Sequence, residues 1–375
     1  MYRQEKPGRA WLEISLENLR WNYRELFKIM PEGCSCMAIV KADAYGHGAI
    51  RVSEALSREG CDAFAVASLE EGIGLRVAGL QGNIFVLGYT MPRDSFLLHR
   101  YDLIQTIVDE EYARALAATP YPVRGHLAVD TGMNRLGISY RNMEAITRVL
   151  HMPGLTVEGI YSHMSVADSD LEEDRKFTQK QITDFMTLKE QLTKLGYEDL
   201  EYHMQSSYGL LSYPMESMKY ARMGIALYGC SSNHPEEHFD VPLKPALSLK
   251  GRIGCVRTVE TGEFVSYGRT YEAKEIRKIA VLAIGYADGL PRSLSGQGCA
   301  LVRGKRVPIV GRVCMDQTML DVTEVENVAE GDIATLIGRD GEEEIKASYL
   351  AKQAGTITNE LLSRLGGRLT KTYPS

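Results

Sequence analysis

The 375-residue sequence has no apolar run approaching the ~20 residues of a membrane-spanning helix; its longest stretches from Ile279 to Ala287. The opening residues, MYRQEKPGRA, contain no hydrophobic core of a secretory signal. Seven cysteines (Cys34, Cys36, Cys61, Cys230, Cys255, Cys299 and Cys314) form no CxxC pair, and the odd number suits no small disulfide framework. Reduced thiols, and hence the cytoplasm, are the expected setting. A basic excess is also missing: 43 Lys and Arg against 49 Asp and Glu leave a net charge of −6, the wrong sign for a nucleic-acid binder. No low-complexity segment and no metal-ligating cluster stand out. With 44% hydrophobic and 25% charged residues, the chain is neither disordered nor fibrous. At roughly 150 residues per domain, its length suggests two domains, or one large barrel with an addition.

What is present is an alternation. From residue 36 to about 224 the chain repeats a short apolar run, a polar turn and a stretch of helical period. The runs are Cys36–Val40, Ala63–Ala67, Ile84–Leu87, Leu103–Val108, His126–Val129, Val157–Tyr161, Leu200–His203 and Tyr220–Met223. Helices are expected between them, with a capping box at Ser68–Glu71 and three-and-four apolar spacing in Asn142–His151 and Glu172–Leu195. A further helix over Leu16–Met30 should bury Leu16, Leu19, Tyr23, Leu26, Phe27 and Met30. Apolar strands alternating with helices predict a parallel sheet. Eight such units fit a closed (β/α)₈ barrel of the TIM type, with a doubly wound open sheet as the competing arrangement. Beyond Pro242 and Pro245 the pattern changes to short β-rich runs: Ala246–Val259, Glu263–Tyr271, Lys278–Tyr286, Ala300–Val302, Arg306–Val310 and Ile333–Ile337, with a hairpin turn at Arg303-Gly304-Lys305. The expected division is a barrel over 15–240 and a mostly β domain over 241–375, to which residues 1–14 add a strand.

Barrel enzymes carry reactive groups where strands end. Those positions hold Lys41, then Asp130, Thr131 and Arg135, His163, Ser206 and Ser207, and finally Arg222 ahead of Gly224 and Ile225. A lysine at a strand end is usually a solvated charge, and a lone histidine is usually structural. Lys41 differs because four apolar residues precede it and a glycine-containing turn follows. Desolvation there would lower its pKa toward the neutral amine that Schiff-base chemistry needs. Loops after strands 7 and 8 are a common barrel phosphate site. An imine-forming lysine with a phosphate cradle is what pyridoxal 5′-phosphate requires.

Seven ordered motifs then resemble the alanine racemase family: Val40-Lys-Ala-Asp-Ala-Tyr-Gly-His-Gly48, Val129-Asp-Thr-Gly-Met-Asn-Arg-Leu-Gly137, Tyr161-Ser-His163, Arg222-Met-Gly-Ile-Ala-Leu-Tyr-Gly229, Val265-Ser-Tyr-Gly268, Ile284-Gly-Tyr-Ala-Asp-Gly289 and Val310-Gly-Arg-Val-Cys-Met-Asp-Gln317. The resemblance covers nearly the whole chain. It implies a pyridoxal-phosphate barrel, a β domain, a small amino-acid substrate, and a homodimer whose sites borrow residues from the second copy. By that resemblance Lys41 carries the cofactor and is one base, while Tyr267 of the other copy is the opposite base. A phenol with a pKa of ~10 is a weak base at neutral pH, so such a residue needs cationic or hydrogen-bonding neighbours. His163 is expected to supply that support. Tyr45, Ser207 and the backbone of Gly224 and Ile225 would hold the phosphate. Arg135 would meet the ring hydroxyl and the substrate carboxylate; Tyr286, Met315 and Asp316 would line the substrate entrance. Arg222 would face the pyridine nitrogen. A guanidinium can only donate, so that nitrogen stays unprotonated, which favours rapid reprotonation over transamination and argues against a decarboxylase.

Two departures from the family pattern stand out. Ala128 occupies a position where many members have a carbamylated lysine that braces the arginine equivalent to Arg135. Asn359 stands where alanine racemases usually have tyrosine, and its amide is expected to accept a serine hydroxymethyl group. This second departure resembles the racemase part of vancomycin-resistance serine racemases, which supply D-serine for altered peptidoglycan ends. If that resemblance holds for the intact protein, a membrane domain would precede this cytoplasmic part.

Overall fold

The computed structural model describes residues 7–232 and 240–374. Residues 1–6, the beginning of the expected N-terminal addition, lie outside the described residues. The chain folds as two compact units. One comprises Tyr23–Ala42 and Ala49–Leu227; the other takes the residues up to Asn22, Asp43–Gly48 and those from Tyr228 onward.

The first unit is the barrel. Its strands are Ser35–Ile39, Ala63–Val66, Asn83–Val86, Ile104–Ile107, Val123–Asp130, Leu155–Tyr161, Glu201–His203 and Tyr220–Met223. All eight expected runs are therefore strands. They pair in parallel with their sequence neighbours, and the eighth pairs with the first, Tyr220 opposite Ser35 and Met223 opposite Ala38. The seventh and eighth share no ladder, but Lys219 N–H donates to the Tyr202 carbonyl at 2.7 Å and Arg222 N–H to that of Gln205 at 2.9 Å. The near-closed ring sets aside the open sheet. Met37, Ala38, Phe64, Ala65, Ile84 and Leu127 are fully buried, which explains why these strands read as continuous apolar runs rather than alternating ones.

Helix boundaries follow local chemistry. The Ser68 side chain accepts from Glu71 N–H while the Glu71 carboxylate accepts from Ser68 N–H, the reciprocal pairing that the sequence suggested. Asn142 caps Met143–Leu150, its side chain accepting from Ala145 N–H. In Leu16–Lys28, Leu19, Tyr23 and Leu26 are buried, but Phe27 is 53% exposed. Phe27 follows Leu26 directly and so points about 100° away from the buried stripe, which corrects its expected placement.

The second unit is organised on a nine-stranded sheet. Ala10–Ile14 joins it, antiparallel to Leu247–Val259 and parallel to Thr370–Thr372. Arg303 and Gly304, both with positive φ, form the tight turn between Val302 and Lys305. Glu263–Tyr271 is not one strand: Phe264–Val265 and Tyr271–Glu272 form a short hairpin around a turn that carries Tyr267. The expected strand Lys278–Tyr286 is Arg277–Leu282, with Tyr286 in a separate turn. Strand Thr318–Asp321 and helix Thr358–Arg364 have no counterpart in the sequence reading; four and seven residues are too few for a clear period. No helix among the described residues is long and apolar enough to cross a membrane.

Candidate active site

Lys41 follows the first barrel strand and opens a one-turn helix of the wrong hand. Ala42, Asp43, Ala44 and Tyr45 have φ of 52, 53, 55 and 52°. Left-handed helix costs L-residues roughly 1–2 kcal/mol each, and none of these four is glycine, the residue best suited to such angles. Strain of this kind persists where surrounding structure enforces it, and it clusters at functional sites. One clamp is visible: the Glu71 carboxylate, already capping its own helix, accepts from Ala42 N–H at 2.6 Å. The sequence motif indicated a turn here but not its hand.

The Lys41 amine is partly buried, and its pKa is lowered, first by loss of solvent and then by the positive charges of Arg135 and Arg222, with Glu71 opposing. This is the direction that the apolar run before Lys41 predicts. Arg222 ends the eighth strand and is only 5% exposed. One nitrogen, Nη1, donates to His203 Nδ1 at 2.8 Å and to the His203 carbonyl at 3.1 Å. The other, Nη2, donates to the Ser162 carbonyl at 2.8 Å, the Met204 carbonyl at 3.0 Å and His163 Nδ1 at 3.0 Å. No ion pair joins Arg222 to a carboxylate among the described residues. Burial lowers its pKa to about 10, still well above neutral pH. A buried cation without an anion is expensive, and here carbonyl dipoles and imidazole lone pairs stand in for one.

The direction of these hydrogen bonds fixes tautomers. A guanidinium cannot accept, so Nδ1 of His163 must accept and its proton must sit on Nε2. Burial, then Arg222, Arg135 and Lys41, depress the His163 pKa to about 3, so the ring is neutral. His163 thus presents an Nε2–H donor.

Ser207 begins a short helix after the seventh strand; its hydroxyl oxygen accepts from Gly224 N–H at 3.0 Å and Ala226 N–H at 3.4 Å. The loops after strands 7 and 8 are thereby tied together, and Ile225 opens the turn that follows. Ser206 is the residue before that helix and makes no side-chain cap. Arg135 is exposed, and no ion pair joins it to a carboxylate among the described residues. Ala128 is buried, Thr131 bonds Ser162 at 2.8 Å, and the Asp130 carboxylate accepts from the Gly132 and Asn134 N–H groups.

The second unit holds the remaining candidates. Tyr45 is buried and packs 5.2 Å from the Tyr228 ring; burial raises its pKa to about 12, so it stays a donor. Tyr267 is 71% exposed on a turn where Ser266, Gly268 and Arg269 all have positive φ. The Ser266 hydroxyl donates to the Arg312 carbonyl at 2.7 Å. The N–H groups of Tyr286 and Ala287 donate to the carbonyls of Cys314 and Met315, each at 3.0 Å. Three motifs distant in sequence therefore meet on one face, with a groove of about 550 Å³ lined by Phe264–Tyr267 and Cys314–Gln317. Asp316 accepts from Arg368 at 2.7 Å. Asn359 lies in helix Thr358–Arg364, and its Oδ1 accepts from the Ser232 hydroxyl at 2.7 Å.

Sequence reasoning missed Glu71, His126, His203 and Ser232. His126 and His203 sit inside expected strands, and a histidine within a strand buried on both faces must find a polar partner. That was the available signal. Chemically, the barrel set suits pyridoxal phosphate: an amine of lowered basicity, a donor-only cation, and hydroxyl and amide groups at the ends of strands 7 and 8. No group of metal-ligating side chains occurs among the described residues.

Comparison with known proteins agrees with this chemistry. Residues 14–232 match the alanine racemase N-terminal domain and 246–373 the C-terminal domain. The alanine racemase of Carboxydothermus hydrogenoformans is 41% identical over 97% of this chain and 99% of its own length. The serine/alanine racemase of Enterococcus gallinarum is 40% identical over 98% of this chain, which spans about half (52%) of that relative. Among solved structures, the alanine racemase of Bartonella henselae, with covalently bound pyridoxal phosphate, superposes with a TM-score of 0.86 at 26% identity, covering 98% of this chain and 100% of its own. The chain belongs to the alanine racemase family.

Proposed function

We propose that this pyridoxal-phosphate racemase interconverts L- and D-serine as well as L- and D-alanine, using bases on opposite faces of Cα. Pyridoxal phosphate, when bound, withdraws electrons from Cα and acidifies its hydrogen. Lys41 holds the cofactor and removes or returns that proton on one face. Tyr267 of the partner subunit acts on the other face of a homodimer's site. The Nε2–H of His163 is the donor that supports its phenolate form. Arg222 donates to the ring nitrogen, a role supported by the burial of its guanidinium without an anion. Ser207, Tyr45, Gly224 and Ile225 hold the phosphate, and Arg135 meets the ring hydroxyl and substrate carboxylate. Tyr286, Met315 and Asp316 bound the substrate entrance. In this scheme 15–240 is the cofactor-binding domain, and 241–375 with 1–14 is the domain that completes the partner's site.

Asn359 carries the serine reading. With its oxygen engaged by Ser232, the amide N–H₂ is left to donate to a substrate hydroxyl. A methyl group would leave that donor unpaired, a discrimination that apolar contact does not provide. D-Serine made in the cytoplasm would serve altered peptidoglycan ends and so vancomycin resistance. The seven cysteines, all unpaired, favour that compartment. The test is kcat/KM for L-Ser and L-Ala before and after Asn359→Tyr. The ratio should move toward alanine by about tenfold or more; an unchanged ratio removes the serine reading.

A further inference from the structure

Behind Arg222 lies a polar structure that the racemisation scheme does not use. His203 Nε2 is 2.9 Å from His126 Nδ1, and both rings are about 1% exposed. Because Arg222 can only donate, His203 Nδ1 must accept, and the His203 proton must be on Nε2. That proton can go only to His126 Nδ1, which forces the His126 proton onto its own Nε2. There it makes no hydrogen bond, with the Glu201 carboxylate 3.5 Å away. Direction is therefore set along the line Arg222, His203, His126.

The fold makes room for this line. The pairing of the fifth and sixth strands shifts register between Gly125 and His126, and such irregularities re-aim side chains near active sites. Opposite, Gly159 leaves no room for a side chain: a Cβ there would lie 2.4 Å from the Glu201 carbonyl, 2.6 Å from His126 Cε1 and 2.7 Å from its Nδ1. Phe85 meets the His126 ring edge-on at 4.9 Å, and Tyr161 stacks on His203 at 5.0 Å. Glu201 opens the seventh strand and lines a cavity of about 380 Å³ with Lys189, Tyr202 and Lys219.

We propose that His126 is a positioning residue, locking His203 in the tautomer that accepts from Arg222. Without an acceptor at His126 Nδ1, His203 can place its proton on Nδ1, and two donors then face each other at the Arg222 contact. The guanidinium keeps its carbonyl partners but loses one of its two imidazole anchors, and its aim toward the ring nitrogen loosens. The charged and titratable groups around the line are Arg222, Arg124, Arg135, Glu158, Glu201, Lys219, Tyr161, His163 and Tyr220. The proposal rests on Arg222 serving the ring nitrogen, so its test begins without cofactor.

In the apoprotein, long-range ¹H–¹⁵N spectra of the histidine rings should show both His126 and His203 as neutral Nε2–H tautomers. His126→Phe should shift His203 toward the Nδ1–H form and, in the holoenzyme, lower kcat about tenfold with KM unchanged. His126→Asn, which keeps an acceptor near the Nδ1 position, should retain the His203 tautomer and most of kcat. A wild-type His203 carrying its proton on Nδ1, or equal loss in the Phe and Asn variants, overturns the lock. If Arg222→Lys leaves the absorbance of bound cofactor unchanged, the ring-nitrogen assignment fails instead, and the apoprotein spectra distinguish the two failures.

Discussion

The two units treat their candidate residues in opposite ways. In the barrel, Arg222 is almost fully buried, and its guanidinium donates to carbonyls and neutral imidazoles. In the β unit, Tyr267 and Met315 are mostly exposed, on turns held by backbone hydrogen bonds. Buried polar groups must be satisfied where they lie, so the barrel half is preorganised before any ligand arrives. A tyrosine standing in solvent has no such support, and a base needs it. The contrast supports the proposed division of the site between two copies: one half fixed in its own core, the other presented outward.

Removing the presented half should have the larger effect. Tyr267→Phe should lower kcat/KM by about 10²–10⁴, the range for loss of a general acid or base, and should suppress solvent-deuterium incorporation from one enantiomer more than the other. A symmetric loss below tenfold would mean that Tyr267 is a wall of the site only.

A smaller contrast lies in acid. His126 and His163 have pKa values depressed to about 3, in each case chiefly by burial. Their unfolded values lie near 6.5. Neutral histidine is thus favoured by folding: the contribution is complete above about pH 6.5 and fades as pH falls toward 3. In the β unit, burial pushes the Asp288 pKa up, but hydrogen bonds from Arg9 and Gly285 N–H outweigh it and leave the pKa low. Its contribution is present above about pH 3.8 and is lost only as pH falls through that lower folded value. Amide exchange between pH 6.5 and 4.5 should therefore show the barrel strands losing protection before the Asp288 turn. Simultaneous loss would remove this distinction.

The barrel was legible because eight buried strands are eight apolar runs, and the pattern survives without knowledge of what packs on them. Lys41, His163, Ser207 and Arg222 were legible by position at strand ends. Their partners were not. His203 lies 19 residues from Arg222, and His126 lies 77 from His203, so only closure of the ring makes them neighbours. The left-handed turn after Lys41 was hidden because, of its residues Ala-Asp-Ala-Tyr, only Asp43 is of a type enriched at positive φ. In the β unit, short strands and turns gave weak periodic signals, and Tyr267 was found through its motif, not through its expected strand.

The division of the site between copies is tested most directly by mixing inactive subunits. Lys41→Ala and Tyr267→Phe proteins, each nearly inactive, are unfolded together, refolded and assayed with bound cofactor. If each site takes its amine from one copy and its phenol from the other, half of the dimers are mixed and each has one intact site, restoring about a quarter of wild-type activity in a statistical C₂ assembly. If both groups act from the same chain, the mixture recovers nothing beyond the two parents, and the account is contradicted.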